Sequence, residues 1–217
     1  SAVFTRNSVS LSPCRAYHCG MVRFMIAILA AVLMGLPTAQ AAEGGKPASG
    51  VESPVPDRQA RLDALFTDLK KETNERAARR IALRIGETWN DSGSDTANLL
   101  VGWANDAIKA EKLSVALDFL DQVTMLFPDY AEGWNRRATV HFMMSDYARS
   151  MADISRTLEL EPRHFGALAG MARILQATGR QEQALTAYEQ VLNIYPMLRS
   201  AQNAVSEISD KLDGQGI

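Results

Sequence analysis

From residue 58 onward, apolar side chains recur at helical spacing. Leu62, Leu65, Phe66 and Leu69 fall at i, i+3, i+4 and i+7, and Ala78, Ile81, Ala82, Ile85 and Trp89 repeat the pattern. Each set forms one stripe on a 3.6-residue helix, so the spacing predicts an amphipathic helix pair over residues 58–91. Asn90-Asp91-Ser92-Gly93-Ser94 then interrupts the pattern with turn formers, and Ser94 is placed to cap the next helix. Beyond it the amphipathic runs continue and proline divides them. Pro128, Pro162 and Pro196 are 34 residues apart, and each follows a run that it would terminate.

Aligned on these prolines, the chain falls into three units, 97–130, 131–164 and 165–198. Positions four, eight, twenty and thirty-two carry Leu100, Ala104, Ala116 and Pro128 in the first unit. The second carries Trp134, Ala138, Ser150 and Pro162, and the third Leu168, Ala172, Ala184 and Pro196. Small residues let two antiparallel helices approach closely, large ones fill the space toward the next pair, and proline turns the chain. The pattern resembles the tetratricopeptide repeat (TPR) and covers about half of the chain. Gly179 stands at the turn between the helices of the third unit, where a left-handed C-cap is required. Asp129 and Glu132 have the spacing of a capping box at the start of the second unit.

The resemblance implies an all-α, helix-turn-helix solenoid wound as a right-handed superhelix with capping helices. Residues 58–96 would form a degenerate capping pair at the amino-terminal end, residues 97–198 the three repeats, and residues 199–217 a closing helix and tail. Leu198, just before that last segment, and Ala201, Val205, Ile208 and Leu212 within it mark a one-sided helix. The sequence departs from the pattern in places. Arg137 stands at position seven, where the family carries Leu, and His141 at position eleven, where it carries Tyr. Glu111 and Ser145 replace the turn glycine in the first two units.

In such a solenoid the first helix of each pair lines a concave face. Carried over position by position, the resemblance points to Asn98, Asn105 and Lys109 in the first unit and Asn135, Thr139, Phe142 and Met143 in the second. In the third it points to Arg173 and Gln176. Asn side chains can bond both groups of an extended backbone, and Phe142 and Met143 offer apolar contact, so the implied partner is a protein or peptide segment. Some members of the family grip a terminal carboxylate with Lys, Asn and Arg at set positions. Asn105 and Arg136 could supply two of these, but Val101, Gly166 and Gly170 occupy places where others would be needed, which disfavours that clamp. Arg136 and Arg137 are candidates for an ion pair or an anion contact. A guanidinium at the inward-facing position seven must find a partner or an escape to water.

The amino-terminal part has a different character. Residues 1–41 contain no Asp or Glu and three Arg, so the remainder carries 20 basic and 25 acidic side chains, a net charge of −5. That balance argues against nucleic acid as a partner. From Met21 the order is a positive start, an apolar run from Phe24 to Leu36, then Pro37 and the small residues Ala39 and Ala41. This is the order of a cleavable secretory signal over residues 21–41, with cleavage after Ala41. The run spans roughly 20 Å as a helix, short of a bilayer core. An uncleaved anchor is the rival reading. Residues 1–20 are expected to be a non-native upstream segment, with an organelle transit peptide as the rival. Residues 42–57, rich in Gly, Pro and Ser, are expected to form a flexible linker.

Cys14 and Cys19 both precede Met21, so disulfides and thiolate chemistry are excluded downstream of the signal. With His18 these cysteines lack a fourth metal ligand. No nucleophile elbow, phosphate-cradling glycine loop or two-histidine helix motif is present. The sequence therefore points to an exported, periplasmic protein without enzymatic activity, cofactor or metal, and without stable membrane insertion once the signal is removed. The leading function is an interaction scaffold for cell-envelope assembly or integrity. A structural subunit held through the convex face is the alternative, and an enzyme or small-molecule receptor is a second.

Overall fold

The computed structural model describes residues 58–214, so the expectations for residues 1–20, the signal, the linker and the last residues of the tail lie outside the described part. Nine helices and no strand occur among the described residues: α1 (Arg58–Lys71), α2 (Glu75–Asn90), α3 (Asp95–Lys109), α4 (Leu113–Leu126), α5 (Ala131–Met143), α6 (Tyr147–Leu160), α7 (Phe165–Ala177), α8 (Gln181–Ile194) and α9 (Arg199–Gly214). Helices α3 to α8 are three successive hairpins, and each rhythmic proline follows the second helix of its pair. None of the described helices is long and apolar enough to cross a membrane.

The small residues at positions eight and twenty explain the tightness of each hairpin. Ala104, Ala116, Ala172 and Ala184 are wholly buried, and Ala138 and Ser150 nearly so. Ser150 Oγ, inside this contact, donates 2.8 Å to the Ala138 carbonyl, so its hydroxyl is satisfied where an alanine would need no partner. The turns between the paired helices of the three repeats all pass through a left-handed residue at one register. Gly179 has φ 78°, and Glu111 and Ser145 occupy the same position with φ 57° and 61°. The missing glycines therefore left the turn geometry intact, with side chains placed in a region that favours glycine.

Successive hairpins stack through the first helix of one against both helices of the last. Val140 of α5 joins Ala104, Ala107, Ala116 and Leu120 in one core cluster. Ala167 and Ile174 of α7 join Ala138 and Ile154 in the next. Gly133 is required at its junction, since a Cβ there would stand 2.7 Å from Val123 Cγ1. At the carboxyl end, Ala201 and Ile208 of α9 pack into the cluster of Leu168, Leu175, Tyr188 and Val191, and they leave a polar outer face.

Two local expectations need correction. Ser94 caps α3 through the Ala97 N–H, as its position suggested. The Asp129–Glu132 capping box does not form, because α5 begins two residues after Asp129 with Tyr130 at its cap and no side-chain bond there. The carboxylate of Glu132 is instead drawn into a buried polar cluster. The pair α1–α2 also does not sit where a cap for the amino-terminal end of the stack would sit. It lies along the row of turns joining one hairpin to the next, reaching the third repeat, where Leu65, Phe66, Leu69, Ile85 and Trp89 form one cluster with Tyr195 and pack on Phe165, Ile194 and Leu198. Aromatic surface decides this placement: Trp89 stacks on His164 with centroids 4.1 Å apart and meets Phe165 at 5.2 Å.

Candidate partner-binding groove

A polar cluster joins the edge hairpin to the first helices of all three repeats. Glu132, near the start of α5, is placed by the register of the second unit, and its carboxylate accepts from His164 Nε2 at 3.0 Å and Asn135 Nδ2 at 3.1 Å. Arg136 Nε lies 3.2 Å from the other carboxylate oxygen. The guanidinium continues to Asn105 Oδ1 of α3 at 2.6 Å and Asn90 Oδ1 of α2 at 2.5 Å. His164 caps α7 by accepting the Ala167 N–H on Nδ1 at 3.0 Å. Nδ1 therefore holds a lone pair and Nε2 carries the proton given to Glu132. Tyr130 donates 2.9 Å to the Asn90 carbonyl, and burial pushes its phenol up to about 12.

Arg137 is held on the opposite side of α5. Its guanidinium makes a bidentate contact with Asp153 of α6 at 2.9 and 2.7 Å. It also donates 2.9 Å to Asp121 and 2.9 Å to Thr124 of α4, while lying 4.8 Å over the Trp134 ring. The hydrogen bonds it donates to Asp153, acting with the nearby negative charges, raise the Arg137 pKa above its ordinary value despite burial. An inward-facing cation at position seven is thus matched by a buried anion at position twenty-three and tied to the preceding repeat. His141 is buried on the same side, with Nε2 3.8 Å from Asp153.

The structure divides the remaining groove residues into two groups. Asn98 accepts from the Ser92 hydroxyl at 2.7 Å and backbone N–H at 3.1 Å, which fixes the link into α3. Asn105 is engaged by Arg136, Lys109 pairs with Asp106 at 3.0 Å, and Gln176 Oε1 accepts from Tyr188 at 3.3 Å. These side chains serve the protein's own contacts. Met143 is exposed at the end of α5. Asn135, which also donates to Glu132, joins Thr139, Phe142 and Arg173 around one hollow between α5 and α7 of about 240 Å3, floored by Ala138, Ile154 and Ala167. Gly166, Ala169 and Gly170 make the α7 wall low, and a Cβ at Gly170 would already touch Ile154 at 3.4 Å. A second hollow of about 550 Å3 adjoins it at Asn135 and Gly166 and is walled on its far side by Ala82, Leu83 and Gly86 of α2. Sequence reasoning missed this wall, because only the tertiary placement of α2 brings it there.

Among the described residues no group of three or more His, Cys, Asp or Glu is arranged to hold a metal ion. The hollows are open, with small-residue walls and polar rims, which suits an extended chain laid along α5 and α7.

No protein-family model matches the sequence. A TPR repeat-containing protein of Rhizobium etli is 52% identical over 154 residues, covering 71% of this chain and 76% of that protein. The chain belongs to the tetratricopeptide repeat family. Serine/threonine-protein phosphatase 5 of Rattus norvegicus is 27% identical over 106 residues, a stretch that is only 21% of that enzyme. Among solved structures, the first TPR of Spaghetti (RPAP3) bound to an HSP90 peptide superposes with a TM-score of 0.53 at 24% identity. It covers 55% of this chain and 95% of that domain. The TPR2B domain of yeast Sti1 in complex with an Hsp70 peptide gives 0.51 at 15% identity, covering 54% and 99%. These likenesses establish the TPR fold over the repeat region.

Proposed function

We propose that this TPR protein is an exported, periplasmic and non-enzymatic scaffold that receives an extended segment of a partner protein along α5 and α7, in support of cell-envelope assembly or integrity. The hollow between those helices carries the reading. There candidate groove residues from two repeats, Asn135, Thr139, Phe142 and Arg173, surround a shared depression. Its size suits one apolar side chain, with Asn135 and Thr139 on the rim to bond the backbone on either side. Peptide binding by the RPAP3 and Sti1 domains lends the reading support by analogy. Export rests on the signal-like order of residues 21–41.

Three experiments test its parts. Photo-crosslinkers placed in living cells at Thr139 and Phe142 should capture one partner, and the capture should fail when Asn135 and Arg173 are both changed to Ala. Undiminished capture by that variant would remove the groove from the function. A carboxyl-terminal alkaline phosphatase fusion should be active in cells only if residues 21–41 direct export. A cell lacking the protein should become more sensitive to detergent, and unchanged sensitivity would count against the envelope role.

A further inference from the structure

The first helix pair of the repeat stack exposes a surface that the later pairs bury. Position three is Leu99, Gly133 and Ala167 in the three units; Leu99 is 52% exposed, whereas Gly133 and Ala167 are buried against the hairpin before them. Position thirty is Leu126, Leu160 and Ile194, and only Leu126 is exposed, at 55%. At position seven Trp103 is 46% exposed, resting its ring on Phe119 at 5.5 Å. Leu99 and Trp103 on α3 lie at i and i+4, as do Val115 and Phe119 on α4. Together they make one apolar face, continued by Leu126 toward the edge of the stack, of the kind that rests on the preceding hairpin in the later repeats. The pair that precedes it in sequence leaves Leu99 and Trp103 uncovered, because α1–α2 docks along the edge of the stack, where Arg58, Gln59 and Leu62 share a hollow with Leu126.

We infer that this face joins two copies of the protein about a two-fold axis. Continuation head to tail is disfavoured, since the opposite end of the stack is closed by α9, whose outward positions are polar: Asn203, Ser206, Asp210 and Lys211 are exposed. An apolar end and a polar end do not match, whereas the apolar end matches itself, and an isologous contact closes without growing. Charge selects the arrangement. At the turn joining α3 to α4, Asp106 prolongs the stripe on α3 and Lys112 begins the stripe on α4. An axis parallel to the helices lays α3 antiparallel on the partner's α4. It merges the apolar stripes and brings Asp106 toward the partner's Lys112 on both sides of the axis. The alternative axis across the helices would oppose Asp95 and Asp106 instead.

The test is sedimentation of the protein as it accumulates in the cell, over a broad concentration range. A species of twice the chain mass is expected. Leu99→Glu with Trp103→Glu should leave only the monomer, with helicity and thermal midpoint kept as a check that the repeats still fold. Asp106→Lys and Lys112→Asp should each weaken the dimer alone and restore it when mixed, a readout that misfolding cannot mimic. Asn135→Ala with Arg173→Ala should remain dimeric, so loss of groove function and loss of pairing are separable. A monomer at every concentration, whether residues 1–57 or another protein covers the face, overturns the inference. So does a dimer that survives the double Glu substitution, or charge variants that fail to complement each other.

Discussion

Replacing Arg137 by Met isolates the value of a charge at an inward position. The third repeat supplies the design, because Met171 and Ala187 occupy the positions held by Arg137 and Asp153 in the second. Arg137 has 19% of its side chain exposed and Asp153 only 6%. Removing the guanidinium strands a carboxylate that keeps no bidentate partner and has His141 no nearer than 3.8 Å. Breaking a buried pair on one side costs about 3–5 kcal/mol, since the remaining ion loses its partner but not its burial. The link to Asp121, 62% exposed, adds little through screened charge. Arg137→Met alone should therefore lower stability by about 3 kcal/mol, seen as a shift in urea midpoint at unchanged slope. Arg137→Met with Asp153→Ala removes both charges, and it should recover to within about 1–2 kcal/mol of the parent, giving a large favourable coupling in the double-mutant cycle. A single variant losing under about 1 kcal/mol would refute the ion pair as a structural element. It would return Arg137 to the anion-contact reading. A double variant as unstable as the single would show that packing against Trp134, rather than the stranded charge, sets the cost.

Three further outcomes follow from the same contacts. Glu111→Gly and Ser145→Gly should each stabilise the fold by about 1 kcal/mol, measured by thermal melting, because both residues occupy left-handed turns that Gly179 adopts without strain. In alkaline solution the buried Tyr130 keeps its proton up to about 12 while the unfolded chain releases it near 10, so its contribution is complete below about pH 10 and is lost as pH rises through 12. Tyr188 and Tyr195 are also raised by burial and share that decline, so Tyr130→Phe should flatten it only in part in a pH series of urea melts. Trp89→Ala removes the ring stacked on His164 and should cost about 3–5 kcal/mol. Hydrogen exchange should then rise first in α1 and α2 while α5 to α8 stay protected; uniform exchange across all helices would show that the edge hairpin and the repeats fold as one unit.

What the sequence disclosed and what it hid follow the range of the interactions involved. The repeats were legible because their signal is local. Ala104 against Ala116, or Ala172 against Ala184, are close in the chain, and proline marks each boundary. The left-handed turn was anticipated at Gly179 and is equally present at Glu111 and Ser145, since closure of the hairpin fixes the dihedral and the residue adapts to it. The capping box failed for the opposite reason. Glu132 has the spacing for a local role, but His164, 32 residues on, and the Arg136 guanidinium hold it in a buried site. A short motif loses its carboxylate when stronger long-range partners compete for it.

The edge hairpin shows how the groove acquired its present extent. Register alone assigns Asn98, Asn105, Asn135 and Arg173 to one concave surface, with nothing to separate their roles. Docking of α2 separates them: Asn90 takes up Arg136, Arg136 takes up Asn105, and Ser92, in the link after α2, takes up Asn98. The polar groups of the first repeat are thereby committed to holding the hairpin, and the open surface contracts to α5 and α7. The same placement adds the wall of Ala82, Leu83 and Gly86 to the adjoining hollow. It also leaves Leu99 and Trp103 uncovered at the end of the stack. Docking of the α1–α2 pair, with Trp89 on His164 at its end, thus bears on three properties together: which groove residues are available to a partner, how wide the adjoining hollow is, and which end of the molecule stays apolar.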